Sequence, residues 1–167
     1  MTLTSAQAAK LLKKLNEQLD AIIEKENISC SFRAAMGEDP ESVRPVYDFE
    51  STQKEINKIE GEIRRLKHAL NAFNVSHEIP GFGMTVDEML VYLPQLSREK
   101  TKLASMRSKL PKTRVEDLHS KNVNFVDYTY LNYSVEDAEK AYEAVSEELS
   151  KAQLALDNFN NSATFEF

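Results

Sequence analysis

Six large apolar residues, Ile56, Ile59, Ile63, Leu66, Leu70 and Phe73, follow one another at spacings of 3, 4, 3, 4 and 3. Alternating threes and fours keep all six on one stripe of an α-helix, whereas a strand would scatter them over both of its faces. The segment therefore reads as a long helix, beginning at Ser51 or Thr52, whose stripe must be buried on a partner. The same spacing places a helix over residues 4–26, on Ala8, Leu11, Leu12, Leu15, Leu19, Ile22 and Ile23. It places another from Thr85 onward, on Val86, Met89, Leu90, Leu93, Leu96 and Leu103. A fourth runs from Ser134, on Ala138, Ala141, Val145, Leu149, Ala152, Leu156 and Phe159. Only four glycines and five prolines occur in 167 residues, so little interrupts these runs. The expected fold class is mainly α: four long antiparallel helices, as a bundle or hairpins, with a small antiparallel β-sheet.

Local signals fix the helix starts. Thr4 with Gln7 and Thr85 with Glu88 have the spacing of capping boxes, and Met84 and Met89 occupy the hydrophobic-staple positions around the second of them. Ser134 with Asp137 stands the same way before the last helix. Pro94 lacks the amide that would bond to Leu90 and predicts a bend. Gly61 predicts a close helix approach or a local bend.

Between the helices, Ile28, Cys30, Phe32 and Ala34 alternate with Ser29, Ser31 and Arg33, the period of a half-buried strand. Turn residues over 36–42 then lead to Val43–Phe49, predicting a β-hairpin with Pro45 on its edge. Residues 123–133 are β-branched and aromatic enough for a third strand. The segment of residues 79–83, IPGFG, reads as a linker, and the last residues, NNSATFEF, as a loosely anchored tail. Residues 1–167 are expected to form one domain with pseudo-repeat halves at about 1–78 and 84–160 and a tail at 161–167. Thr4 matches Thr85, Ser51 matches Ser134 and ALNAFN matches ALDNFN, at offsets of 81, 83 and 86.

Charge and composition narrow the function classes. A net charge of -6 and a pI near 5.2 disfavour nucleic acid as the principal partner, because phosphate binding needs a basic surface. Lys10, Lys13 and Lys14 break up the apolar core an export signal needs, and no apolar run approaches a membrane span. A cytoplasmic protein without stable membrane insertion is expected. Cys30 is the single cysteine, so it forms neither an intrachain disulfide nor a zinc cage and is expected to be a buried thiol. His68, His77 and His119 are scattered, and one Glu-x-x-His, Glu116 to His119, stands where a di-iron bundle needs two. No cofactor or metal is expected, and no nucleophile, phosphate-loop or dinucleotide motif occurs.

Two features remain for function. Residues 98–114 carry seven cations against Glu99, a net +6, while residues 134–148 carry six acids against Lys140, a net -5. The two stretches are expected to neutralise one another within the chain or between subunits rather than bind nucleic acid. Tyr128, Tyr130, Leu131 and Tyr133, with Phe125, either pack as core, as aromatic strands usually do, or present a contact face. The four from 128 to 133 are the candidate interface residues; no catalytic residue is assigned.

At LKHALNAFN, GFGMTVDEML and YSVEDAEKAYEAVSEELSKAQLALDNFN the chain resembles the septicolysin-like family of bacterial proteins, over about residues 55–167. Asn71, Asn74, Gly83, Thr85 and Asp87 look like that family's Asn-rich helix end, glycine and Thr-capped acidic helix start. An extended segment before the last helix, and Asn158 or Asn160 near that helix's end, fit the same pattern. The longer stretch between Ser29 and Phe49 and Pro94 depart from it. The resemblance implies a fold and, through the family's name, a cytolysin; it carries over no catalytic or pore residue. The expected function is a non-enzymatic interaction or scaffold protein acting through self-association, most simply a twofold dimer, or through another protein. The alternative is a septicolysin-like cytolysin acting on membranes.

Overall fold

The computed structural model describes residues 1–115 and 127–167. In chain order the described elements are β1 (Thr2–Thr4), α1 (Ser5–Ser29), α2 (Pro40–Val43), α3 (Phe49–Ser76), β2 (Glu78–Ile79) and β3 (Met84–Thr85). There follow α4 (Val86–Arg107), β4 (Lys112–Arg114), β5 (Tyr128–Tyr130), α5 (Val135–Ser162) and β6 (Thr164–Glu166). The protein is mainly helical, and its strands form three separate antiparallel pairs, β1 with β6, β2 with β3 and β4 with β5. The chain divides into two compact units, residues 1–77 with 158–167 and residues 78–157.

In the first unit, α1 and α3 form an antiparallel hairpin around Ala8, Leu15, Ile63, Leu66 and Phe73, joined by Leu3 and Phe165 from β1 and β6. Leu66 is fully buried, and a leucine removed from water in this way stabilises the fold by roughly 1.5–3 kcal/mol. The Phe73 ring lies 5.2 Å from that of Phe165 and 5.9 Å from that of Phe159. The last residues are thus anchored, against the loose tail expected for 161–167. What ties them down is a strand partner at the other end of the sequence, Leu3 opposite Phe165.

In the second unit α4 and α5 lie antiparallel. Tyr92 reaches Glu148 at 3.5 Å near one end, and Arg107 reaches Glu139 at 2.7 Å near the other. Val86, Met89, Leu96, Leu103, Ala138, Leu149, Ala152 and Leu156 are buried. Leu90, part of the expected stripe, is half exposed, because the positions buried on α4 recur mostly every seven residues. α4 passes through Pro94, whose ring is on the exposed side. Between β2 and β3 the chain reverses through Gly81 and Gly83, whose φ values of 86° and 61° favour glycine.

The predicted capping boxes form. Gln7 N donates to Thr4 Oγ1 at 3.2 Å while Thr4 N donates to Gln7 Oε1 at 3.0 Å. Glu88 and Thr85 do the same at 3.2 and 2.8 Å. The two hairpins also repeat a strand register. Leu3 pairs with Phe165 and Thr4 with Thr164, as Met84 pairs with Ile79 and Thr85 with Glu78. In both cases a strand that follows a 28-residue helix pairs with the strand that leads into a Thr-capped one.

The hairpin expected over residues 28–49 is absent. α1 runs on through Ser29, and Cys30 to Ala35 is irregular, followed by the single turn α2, which Asp39 caps. Ile28 and Val46, 74% and 97% exposed, have no sheet to cover, so the alternation there reports no buried face. Cys30 is exposed rather than buried. α3 begins two residues before Ser51, because Asp48 accepts from Ser51 N at 3.0 Å. A Cβ at Gly61 would meet only the end of Arg65 at 3.8 Å, so no close helix approach explains that glycine.

Candidate functional site

Among the described residues, the segment expected as a third strand is a strand only over Tyr128–Tyr130. Residues 123–126, Phe125 among them, lie outside the described residues, while Tyr128–Tyr130 form β5. Its partner is β4, with Lys112 paired to Tyr130, Thr113 to Thr129 and Arg114 to Tyr128. Leu131 N donates to Pro111 O at 3.1 Å and Val115 N to Asp127 O at 2.9 Å, closing the ladder at both ends.

Alternation along the pair sets Lys112, Arg114, Tyr128 and Tyr130 on one face. Every residue of both strands is exposed, Tyr128 by 45% and Tyr130 by 64%. These two rings are therefore not core. Lys112 Nζ stands 4.0 Å from the centre of the Tyr128 ring and 5.3 Å from that of Tyr130, with the rings 6.5 Å apart. The ammonium holds both rings by their negative faces. Leu131 and Tyr133 are half buried, and the Tyr133 hydroxyl donates to Met106 O, near the end of α4, at 2.9 Å. The four candidate residues therefore divide into two exposed rings and two residues at the base of the hairpin.

The basic stretch divides likewise. Arg107 donates to Glu139 and lies 3.6 Å over the Tyr142 ring, which fulfils the expected pairing with the acidic face of α5 at one point. Lys109 and Arg114 have no acidic partner among the described residues and stand beside exposed Leu110 and Val115. The β4–β5 hairpin is thus a polar, cationic and aromatic surface on a short, defined backbone.

A second feature was not foreseen from the sequence. Beside the ends of α1 and α3, Ile22, Lys25, Glu26, Tyr47, Asp48 and Glu55 line part of a cavity of about 370 Å³. Glu26 Oε1 accepts from the Tyr47 hydroxyl at 2.6 Å and from Gln53 Nε2 at 2.8 Å. The hydrogen bond to Glu26, followed by burial and the carboxylate's charge, pushes the Tyr47 phenol up to about 12. The contact holds residues 30–48 against the helices. Taking Tyr47 for a strand residue hid it; the Asp48 to Ser51 spacing of a helix cap was the available signal.

His77 ends α3, its Nδ1 lying 3.0 Å from Phe73 O and its ring stacked 4.1 Å from that of Phe73, a capping role. No group of three His, Cys, Asp or Glu side chains fit to hold a metal ion occurs among the described residues. Glu116 and His119 lie outside them. No helix among the described residues is long and apolar enough to cross a membrane.

No protein-family model and no curated protein matches the chain. A solved structure from Corynebacterium diphtheriae, described as a functionally unknown conserved protein, is similar in fold. Its TM-score is 0.64 at 12% sequence identity, over 99% of this chain and 100% of that one. At that identity the likeness concerns the fold alone.

Proposed function

We propose that the protein is a non-enzymatic interaction or scaffold protein, acting through self-association, with the β4–β5 hairpin as its contact surface. One observation carries this reading: Tyr128 and Tyr130 stand in solvent on a two-stranded ladder, held by Lys112, where packing in a core would have hidden them. Tyrosine and arginine, here Tyr128, Tyr130 and Arg114, are enriched at contact surfaces, and rings fixed in advance lose little freedom on docking.

The test is light scattering on the purified protein at tens of micromolar. A mass above the 19.0 kDa of one chain is expected. Tyr130→Asp should return the mass to that of one chain. An oligomer that Tyr130→Asp leaves intact would move the contact elsewhere. A monomer that releases dye from liposomes would replace this reading with the cytolysin one.

A further inference from the structure

Building on the proposed contact surface, we infer that the partner of the β4–β5 hairpin is the acidic connector of a second copy, residues 28–50, so that copies associate head to tail. Charge makes the first argument. A hairpin meeting its own image would set Lys109, Lys112 and Arg114 of one copy against the same cations of the other, which is repulsive. The opposite sign is on the connector: residues 38–50 hold Glu38, Asp39, Glu41, Asp48 and Glu50 against Arg44, a net charge of -4. Arg44 is taken up by Glu41 at 2.6 Å and Glu50 pairs with Lys54, whereas Glu38, Asp39 and Asp48 have no cationic partner among the described residues.

Apolar surface makes the second argument. Met36, Val46 and Phe49 are exposed on the connector, as Leu110, Tyr128 and Tyr130 are on and beside the hairpin. Each side thus offers apolar side chains among charges mostly of one sign, acidic on the connector despite Arg33 and Arg44 and basic on the hairpin. Preorganisation makes the third. The Tyr47 bond to Glu26 holds the connector against α1, Asp39 caps α2, and Glu38 accepts from Ala35 N at 2.9 Å. A connector fixed in this way loses little freedom on docking. Repeated head to tail, a contact between unlike faces extends beyond a dimer or closes into a ring.

The experiment is sedimentation of the full chain at low and high salt with two charge-reversed variants, Lys109→Glu/Arg114→Glu and Glu38→Lys/Glu41→Lys, each checked for its helical circular dichroism. The native chain should sediment as species larger than a dimer at low salt and dissociate as salt rises. Each variant alone should associate at least about tenfold more weakly. An equimolar mixture should regain association, because an intact connector on one variant meets an intact hairpin on the other. Connector reversal without effect, while hairpin reversal dissociates the oligomer, would overturn the inference and leave the proposed contact surface standing. A chain monomeric at every salt concentration would overturn both. Capture of a fluorescent single-stranded oligonucleotide by the native chain, lost in the hairpin variant, would overturn the inference in favour of a nucleic-acid partner.

Discussion

The α1/α3 and α4/α5 hairpins are built to one plan, and their differences are informative. Both begin with a threonine-capped helix, and both close with a strand pair of the same register. At two matched positions they fill the interior oppositely. Ala8 on α1 and Leu66 on α3 are fully buried in the first, whereas Met89 on α4 and Ala152 on α5 are fully buried in the second. The large residue has moved from one helix to the other. Each pair of positions thus combines one large and one small residue, as packing permits where fill rather than residue identity decides. Outside the shared frame nothing matches: the first hairpin carries an acidic irregular connector, the second a basic β-ladder with two exposed tyrosines.

The largest effects should come from the interior. Leu66→Ala should destabilise by about 3 kcal/mol and Met89→Ala by about 2–3 kcal/mol, read by urea denaturation. Equal tolerance of both changes would show that neither position is packed as described. Phe165→Ala, which strips one ring from Phe73, should cost roughly 3 kcal/mol in the same assay. A loss of only a few tenths would return residues 161–167 to the status of a loose tail.

The caps should matter less, at about 1 kcal/mol each for Thr4→Ala and Thr85→Ala. They should nevertheless separate by pH. Glu88 closes the α4 box, and its hydrogen bonds from Thr85 hold its carboxyl below the usual carboxylate range, while the uncharged Gln7 closes the α1 box. A lowered folded-state pKa means that the stabilisation is present above the unfolded pKa, about 4.3, and lost as pH falls through the folded value. The penalty of Glu88→Gln, by thermal melting, should therefore shrink in acid, while that of Gln7→Ala stays constant. The smallest effect concerns Tyr47, whose phenol should ionise only at about 12 in an absorbance titration. Its contribution is present below the unfolded value near 10 and lost as pH rises toward 12. Glu26→Gln should bring that ionisation down.

What the sequence made legible was local. The four helical stripes and both threonine boxes are written within a few residues of where they act, and they formed at those places. What it hid depended on distant partners or on their absence. The alternation in Ile28 to Ala34 fits a strand, yet no second strand was there to receive it, so the chain stayed irregular. Phe165 looked like part of a tail because its strand partner is Leu3 and its ring partner Phe73. Tyr128 and Tyr130 were legible as candidates from their aromatic content, but their neighbour Lys112 was not, since β4 reads as polar and owes its strand form to pairing alone.

The β1–β6 pair also decides how the protein yields to force. Phe167 N donates to Met1 O at 2.8 Å, so the two chain ends meet at one end of the ladder. A pull on them loads the rungs singly, Thr2 with Glu166 first, then Leu3 with Phe165, then Thr4 with Thr164. Unzipping of this kind needs little force, and it draws Phe165 off Phe73 before tension reaches α1 or α5. The molecule would open from its clasp, with the long helices still wound.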